Sequence, residues 1–195
     1  MNVLKTSELM TVRQHGAMEH TTPPCNLDEV RNYRLARIQE ELVRQDLAGI
    51  ILYDQLNTRY ATDATNMQIW CSHNEARYVY VPANSEAVIF EYGGKNLLSE
   101  GLPGIDRTVK PISFFYMSAG QHVAERAKQW AVQMDSIIRE HSGGNRRIAI
   151  DRLAPVGIQE MEALGYEVHD GFGAVSYTHL RAHETREAVV FRLLR

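Results

Sequence analysis

Short apolar segments alternate with amphipathic ones between residues 26 and 170, and this alternation constrains the fold more than any other feature. Apolar side chains recur at steps of three and four residues from Ser118 to about His141, which predicts a long helix with one buried face. Short apolar runs at 50–53 and 147–151 predict buried strands. Strands that alternate with helices indicate an α/β domain, with a mixed sheet flanked by helices.

The same patterns locate the other elements of the domain. Asn26 and Asp28 are both good amino-terminal caps for a first helix. The apolar spacing of Leu35, Ile38 and Leu42 predicts its buried face. Further helices are predicted within 57–63, near 96–100 and at 155–164. Further strands are predicted at 77–82, 86–92, 108–114 and 166–169, and a proline within 108–114 places that strand at an edge of the sheet.

The composition excludes several classes of protein. Of the 195 residues, 44% are hydrophobic and 23% are charged, and the net charge is −3, which is ordinary for a globular protein. The sequence has no basic stripe of the kind that binds nucleic acid, and no apolar run near the ~20 residues that span a bilayer. Two cysteines, Cys25 and Cys71, are too few for a disulfide framework. A reduced, cytoplasmic chain without nucleic-acid or membrane partners is therefore expected.

Three regions are expected along the chain. Residues 1–25 are polar and end near a Thr-Thr-Pro-Pro run, so they are expected to form an arm or a disordered leader. Residues 26–174 are expected to form the α/β domain. Residues 175–195 are expected to be a non-native tail, because 176–186 looks like the translated read-through of a sequencing adaptor. This tail is expected to contribute nothing to fold or function.

Few residue patterns in the sequence suggest catalysis. His179 and His183 are four apart and are followed by Glu184, but the zinc-binding motif of metallopeptidases has the order His-Glu-x-x-His. An exposed tail that binds no metal is therefore the favoured interpretation. The glycines at 93–94 and 171–173 lack the spacing of nucleotide-binding loops and are expected to lie in turns. We predict no catalytic residue and no metal ligand within this chain.

Two places have both a structural and a functional interpretation. Asp54 follows a strand, as many catalytic carboxylates do, but an acid in this position is more often a helix cap or a turn residue. Trp70, Cys71, His73 and Asn74 cluster in a predicted loop, where binding residues often lie. The alternative for this cluster is a hydrogen-bonded histidine beside a partly buried tryptophan, and the pattern leaves both open.

One stretch of the sequence resembles a known family. In residues 47–70, an apolar strand is followed by Asn57-x-x-Tyr60 and a threonine-containing turn, as in the first domain of creatinases, prolidases and aminopeptidases P. The longer run from Leu56 to Asn74 resembles more specifically the dimethylsulfoniopropionate (DMSP) lyases built on that scaffold. The resemblance extends over 30–173 and implies a creatinase N-terminal-like domain.

The resemblance also implies a second domain. Family members carry a pita-bread catalytic domain after the first, in which aspartates, a histidine and further carboxylates hold a pair of metal ions. In the lyase branch, the reaction splits DMSP into dimethyl sulfide and acrylate. No such ligand series occurs in this sequence, so a fragment that ends before the catalytic domain is expected. The fragment is expected to hold no cofactor, and its parent to hold two divalent ions of iron, zinc or manganese.

The family is dimeric, which implies a role for the first domain at the partner's active site. By position, Ile69, Trp70 and Cys71 are expected to face the small-molecule substrate of the other subunit, with His73 close behind. Trp70 is the preferred substrate-facing residue, because an aromatic face attracts a sulfonium or guanidinium cation by about 0.5–2 kcal/mol.

Two other interpretations remain open. The chain is alternatively the first part of a proline-specific metallopeptidase of the Xaa-Pro aminopeptidase or prolidase type. It is alternatively a stand-alone, non-catalytic binding module. An Asp…Asp…His…Glu…Glu series in the downstream gene would exclude the stand-alone module, and the residues around those ligands would separate lyase from peptidase.

Overall fold

The computed structural model describes residues 26–93 and 98–173 of the 195-residue chain. These residues form a six-stranded mixed sheet with helices on both faces, so the predicted fold class is confirmed. The strands are β1 (Gly49–Leu52), β2 (Tyr78–Pro82), β3 (Ala87–Phe90), β4 (Ile105–Val109), β5 (Arg147–Ile150) and β6 (Glu167–Asp170). The helices are α1 (Leu27–Arg44), α2 (Gln55–Thr62), α3 (Gln68–His73), α4 (Tyr116–Ala119), α5 (Val123–Ser142) and α6 (Pro155–Ala163).

The strands lie across the sheet in the order β4-β3-β2-β1-β5-β6. Strand β2 runs antiparallel to both of its neighbours, β1 and β3, whereas the pairs β1–β5, β3–β4 and β5–β6 are parallel. All strands except β2 therefore end at the same edge of the sheet, and β2 begins there. Ligand sites of open α/β sheets lie beyond the carboxyl ends of the strands, so this edge is the expected position of a functional site.

Two layers of helix cover the sheet and form the core. On one face, α5 packs through Trp130 and Met134. On the other face, α1 packs through Leu35, Ile38 and Leu42. All five side chains are at most 8% exposed. The buried faces predicted from helical spacing are therefore confirmed.

Capping side chains determine where the first two helices begin. The Oδ1 atom of Asn26 accepts hydrogen bonds from the backbone N–H groups two and three residues on, at 3.2 and 3.4 Å, so Asn26 is the cap of α1. The Oδ1 atom of Asp54 likewise accepts hydrogen bonds from the backbone N–H groups two and three residues on, at 2.9 and 3.2 Å. Helix α2 therefore begins directly after Asp54. The interpretation of Asp54 as a helix cap is confirmed.

The long helix begins later than its spacing predicts. Ser118 lies inside the four-residue helix α4 instead of capping α5, and a 3-10 turn, Gly120–His122, separates the two helices. Gly120 has φ 55° and ψ −127°, which lies far from helical values, so the chain breaks there and α5 begins at Val123. The prediction that Ser118 caps the long helix was wrong. The apolar spacing continues across the break at Gly120, and only the glycine itself indicates that break.

Two smaller predictions also need correction. The strand predicted at 108–114 lies at Ile105–Val109 and ends before Pro111. It is an edge strand, as predicted, because proline lacks the N–H group that an inner strand must donate. Residues 171–173, predicted as a turn, are helical.

Several predictions fall outside the described residues. They concern the leader 1–25, the tail 175–195 with His179, His183 and Glu184, and parts of the turn at 93–94 and the helix near 96–100. Within 26–93 and 98–173, no helix is long and apolar enough to cross a membrane.

Candidate functional site

Helix α3 lies at the edge of the sheet where the parallel strands end, and it carries Trp70, Cys71 and His73. The loop predicted for these residues is therefore a short helix. Met67 precedes it with φ 34° and ψ 52°, a left-handed conformation that residues other than glycine rarely adopt. No side chain caps the first turn of α3. The position of this helix consequently depends on contacts from elsewhere in the domain.

The indole of Trp70 is half-buried between two other aromatic rings. The ring of Tyr92 lies 5.1 Å from it, tilted by 46°, and the ring of Phe115 meets it edge-on at 6.2 Å. Both arrangements are favourable, because they match the positive ring edge to the negative ring face. The Trp70 side chain is therefore held in place by its two aromatic neighbours, whereas a tryptophan in an open loop would rotate freely.

An open, mostly apolar pocket of ≈ 480 Å³ adjoins Trp70. Met67, Ile69, Trp70, His73 and Asn74 line it, and we refer to these five residues as the Trp70 surface. Ile69 is 82% exposed and Met67 is 60% exposed. Exposed apolar side chains around a concave site are typical of surfaces that contact a ligand or another protein.

Helix α4 extends this apolar region. Phe115, which contacts Trp70, is followed by Tyr116 and Met117, and these are 77% and 79% exposed. On the other side, Leu98 shares a second depression with Met67. The Trp70 surface is thus the centre of a larger apolar area at one edge of the sheet.

Cys71 lies behind the Trp70 surface and not on it. Its side chain is 4% exposed, and its Sγ atom lies 3.7 Å from the hydroxyl oxygen of Tyr92. Burial raises the pKa of this thiol. The loop predicted around Cys71 is a helix instead, and α3 turns this residue toward the sheet while its neighbours Ile69 and Trp70 reach the pocket.

Asn57 and Tyr60, the motif residues, belong to the scaffold. Asn57 is 2% exposed, and its Nδ2 atom donates to Oδ2 of Asp151 at 3.0 Å. Tyr60 is 5% exposed in the core under α1, where the guanidinium of Arg34 lies 5.5 Å from its ring centre. The motif therefore fixes α2 against the sheet.

Asp151 joins the ends of two central strands. Its carboxylate accepts hydrogen bonds from the backbone N–H groups of Tyr53 (2.7 Å) and Asp54 (3.1 Å), in addition to that from Asn57. Burial raises the pKa of Asp151 to about 6, although the three N–H donors favour its ionised form. Asp151 could not be singled out from the sequence, since an aspartate at a strand end has no distinguishing local pattern.

A buried ion pair lies beside α3. The Nε atom of Arg77 donates to Oε1 of Glu91 at 2.6 Å, and the two side chains are 1% and 0% exposed. The other oxygen of Glu91 accepts a hydrogen bond from Nδ2 of Asn66 at 3.1 Å. This pair was also missed. Its only sequence signal is one charge at the outer end of each strand of an otherwise apolar hairpin.

The site is lined mainly by aromatic and apolar side chains. Residues 26–93 and 98–173 contain no group of three or more histidine, cysteine, aspartate or glutamate side chains that could hold a metal ion. Its chemistry is that of an aromatic and apolar contact surface.

The comparisons with known proteins relate this chain to lyases by sequence. No protein-family model matches the sequence. The curated dimethylsulfoniopropionate lyase DddP of Roseovarius nubinhibens is 35% identical to it over 146 residues, and DddP of Roseobacter denitrificans is 34% identical over 146 residues. Each match covers 75% of this chain and 33% of the relative. The chain thus spans about a third of the length of these curated relatives.

Solved structures relate it to peptidases by fold. The Xaa-Pro aminopeptidase of Streptococcus thermophilus gives a TM-score of 0.51 at 16% identity, covering 75% of this chain and 96% of that chain. The chain belongs to the creatinase/prolidase/aminopeptidase P family. A second member, the dipeptidase of Pyrococcus horikoshii, gives a TM-score of 0.51 at 14% identity and covers 76% of this chain and 36% of that one. At such identities the structures show the fold alone. Together with the 35% identity to DddP over 146 residues, this fold confirms the family expected from residues 47–70.

Proposed function

We propose that this chain is the N-terminal, pocket-covering and dimerisation domain of a metal-dependent, DMSP-lyase-like enzyme. The parent enzyme converts dimethylsulfoniopropionate into dimethyl sulfide and acrylate. The observation that carries the proposal is the exposed Trp70 surface, in a chain that is 35% identical to a curated DMSP lyase over 146 residues.

In this proposal, Trp70 contacts the substrate bound in the partner subunit. The indole is held by Tyr92 and Phe115, so little side-chain freedom is lost when a ligand arrives. Its face attracts the sulfonium group of DMSP, and such contacts are worth about 0.5–2 kcal/mol. Ile69 and Met67 surround the contact with apolar surface, which excludes water and strengthens the attraction.

The elimination itself requires groups that the described residues do not supply. A base must remove the proton alpha to the carboxylate, and the carbon–sulfur bond then breaks, with its electron pair leaving on dimethyl sulfide. A pair of divalent metal ions in the catalytic domain would hold the carboxylate. The described residues of this chain offer no ligand cluster for them, so its own part is to bind, orient and cover the substrate.

We propose a homodimer and a cytoplasmic location for the same enzyme. The exposed side chains of Ile69, Tyr116 and Met117 are large and apolar, which suits a surface covered by a second subunit. One subunit would then complete the pocket of the other.

A proline-specific metallopeptidase is the second candidate. The fold is common to the Xaa-Pro aminopeptidase of Streptococcus thermophilus, but at 16% identity, against 34–35% for the two lyases. The lyase is therefore favoured by sequence, and the peptidase rests on fold alone. A stand-alone binding module, the third interpretation, has no observation in its favour beyond the apolar surface itself.

A chimera tests the proposal. The matched region of this chain replaces the corresponding segment of the lyase from Roseovarius nubinhibens, and release of dimethyl sulfide and cleavage of an Xaa-Pro dipeptide are both measured. We expect dimethyl sulfide and no dipeptide cleavage. A folded, dimeric chimera that releases no dimethyl sulfide would contradict the proposal.

A further inference from the structure

The buried pair Arg77–Glu91 is connected to the turn that begins α3. Glu91 uses one carboxylate oxygen for Arg77, at 2.6 Å, and the other for the side chain of Asn66, at 3.1 Å. Asn66 is 7% exposed and directly precedes Met67, the residue with the left-handed backbone. The ion pair therefore holds the chain immediately before a residue with left-handed backbone.

The same pair is anchored on its other side to α2. The Nη1 atom of Arg77 donates to Oε1 of Gln55 at 3.2 Å, and Nε2 of Gln55 donates to the backbone oxygen of Tyr53 at 3.0 Å. Arg77 thus links the end of β1 to the start of β2. Each member of this network lies within regular structure or is almost fully buried.

Two consecutive residues hold α3 at two points. Glu91 holds its entry through Asn66, and Tyr92 holds its middle through the ring contact with Trp70 and the contact with Cys71. The helix has no cap of its own. Its orientation, and with it the direction of the indole, is consequently set from the end of β3.

Stability alone does not account for a buried ion pair in this place. Removing two charges from water costs about as much free energy as their attraction returns, and apolar replacements of both partners are often equally stable. A geometric role accounts for the pair better, because carboxylate and guanidinium groups fix direction as well as distance. A strained backbone such as that of Met67 persists only where its surroundings hold it.

We propose that Arg77 and Glu91, acting through Asn66, are positioning residues that fix α3 and so aim the indole of Trp70 at its ligand. They do not touch a substrate themselves. The aim of the indole is a property of this domain, and only its consequence for substrate binding rests on the proposed function.

The two tryptophans of the chain, Trp70 and Trp130, provide a direct test. The full chain is labelled with 5-fluorotryptophan, and its two fluorine resonances are assigned with Trp70→Phe. In the double variant Arg77→Met/Glu91→Leu, we expect the Trp70 resonance to shift and broaden while that of the buried Trp130 stays in place. The double variant should still fold, since both charges are removed together, although the buried amides of Asn66 and Gln55 each lose a hydrogen-bond partner.

Asn66→Ala provides a second variant that leaves the ion pair intact, and it should displace the Trp70 resonance in the same way. Asn57→Ala is its matched control, because it also removes a buried amide that donates to a carboxylate, at Asp151. The control should leave the Trp70 resonance in place. If the double variant fails to fold, Asn66→Ala decides alone.

An unchanged Trp70 resonance in folded Asn66→Ala would overturn the proposal, since Tyr92 would then suffice to hold the indole. Equal displacement in Asn57→Ala would overturn it too, because the effect would follow any loss of stability. The outcome is separable from the proposed function. A displaced resonance together with unchanged lyase kinetics for Trp70→Ala in the chimera would keep the positioning role and remove the substrate role.

Discussion

The side chain of Asn57 donates a hydrogen bond to the carboxylate of Asp151 at 3.0 Å, and this bond joins the start of α2 to the end of β5. The two residues are 94 positions apart in the sequence, yet both lie where the parallel strands end. The Asn-x-x-Tyr motif is therefore a structural clamp, because it joins α2 to the end of β5. It lies at the same edge of the sheet as the Trp70 surface.

Removing this clamp should destabilise the domain. Asn57→Ala leaves a buried carboxylate with one donor fewer, and the expected loss in the free energy of unfolding is about 1–3 kcal/mol. Urea unfolding followed by circular dichroism measures it. Asn84→Ala, at an exposed turn position, is the control and should change the value by no more than about 0.5 kcal/mol. An equal loss in the free energy of unfolding for the two variants would contradict a structural role of the Asn57–Asp151 hydrogen bond.

The pKa of Asp151 predicts a dependence of stability on pH. Burial raises it from 3.8 to about 6 in the folded protein. A raised pKa means that the folded state binds the proton more tightly than the unfolded chain does. The contribution of Asp151 to the free energy of unfolding is therefore complete below its pKa in the unfolded chain, and it is lost as pH rises through about 6. The difference in free energy of unfolding between the wild type and Asp151→Asn should therefore fall between pH 4 and pH 7. A difference that rises over this range would show that the three N–H donors lower the pKa instead.

The sequence predicts the scaffold well and the site only in part. The buried face of α1, with Ile38 and Leu42, follows from residue spacing, because burial of a helix is a periodic property. The break at Gly120 was missed, since apolar spacing does not report backbone dihedral angles. The inward position of Cys71 was missed as well, because the helix that turns it is held by residues distant in sequence.

The Arg77–Glu91 pair illustrates the same limit. Each charge alone, at the end of an apolar strand, is typical of a solvated strand terminus. Only the pairing of β2 with β3, together with the cover of α3, brings the two charges into contact and buries them. Such a contact depends on the tertiary structure and leaves no periodic signal in the sequence.

The purified chain should be inactive alone. Among the described residues there is no metal-ligand cluster, so neither the base nor the metal chemistry of the family is expected. The chain is incubated with DMSP, and separately with an Xaa-Pro dipeptide, in the presence of iron, zinc or manganese. Dimethyl sulfide or free proline above the blank would be evidence of a catalytic group that we have not assigned.

Substitution of Trp70 should weaken substrate binding in the chimera. Trp70→Ala removes the aromatic face, and the loss of about 0.5–2 kcal/mol corresponds to a rise in KM of about 2- to 30-fold. Trp70→Phe should have a smaller effect, because it retains a ring. Tyr33→Ala is the control, since Tyr33 is an aromatic residue on α1, 51% exposed, that does not line the pocket. A KM that responds equally to Tyr33→Ala would contradict a specific contact.

Mixed dimers of the chimera test most directly whether the Trp70 surface of one subunit covers the pocket of the other, as we propose. Subunits with Trp70→Ala are mixed with subunits whose catalytic domain has lost its metal-ligating carboxylates. One pocket of each mixed dimer then combines an active catalytic domain with an intact Trp70 from its partner. We expect a part of the dimethyl sulfide release to show the KM of the unsubstituted chimera, beside the raised KM of the remaining Trp70→Ala homodimers. A mixture that keeps only the raised KM of Trp70→Ala would contradict it.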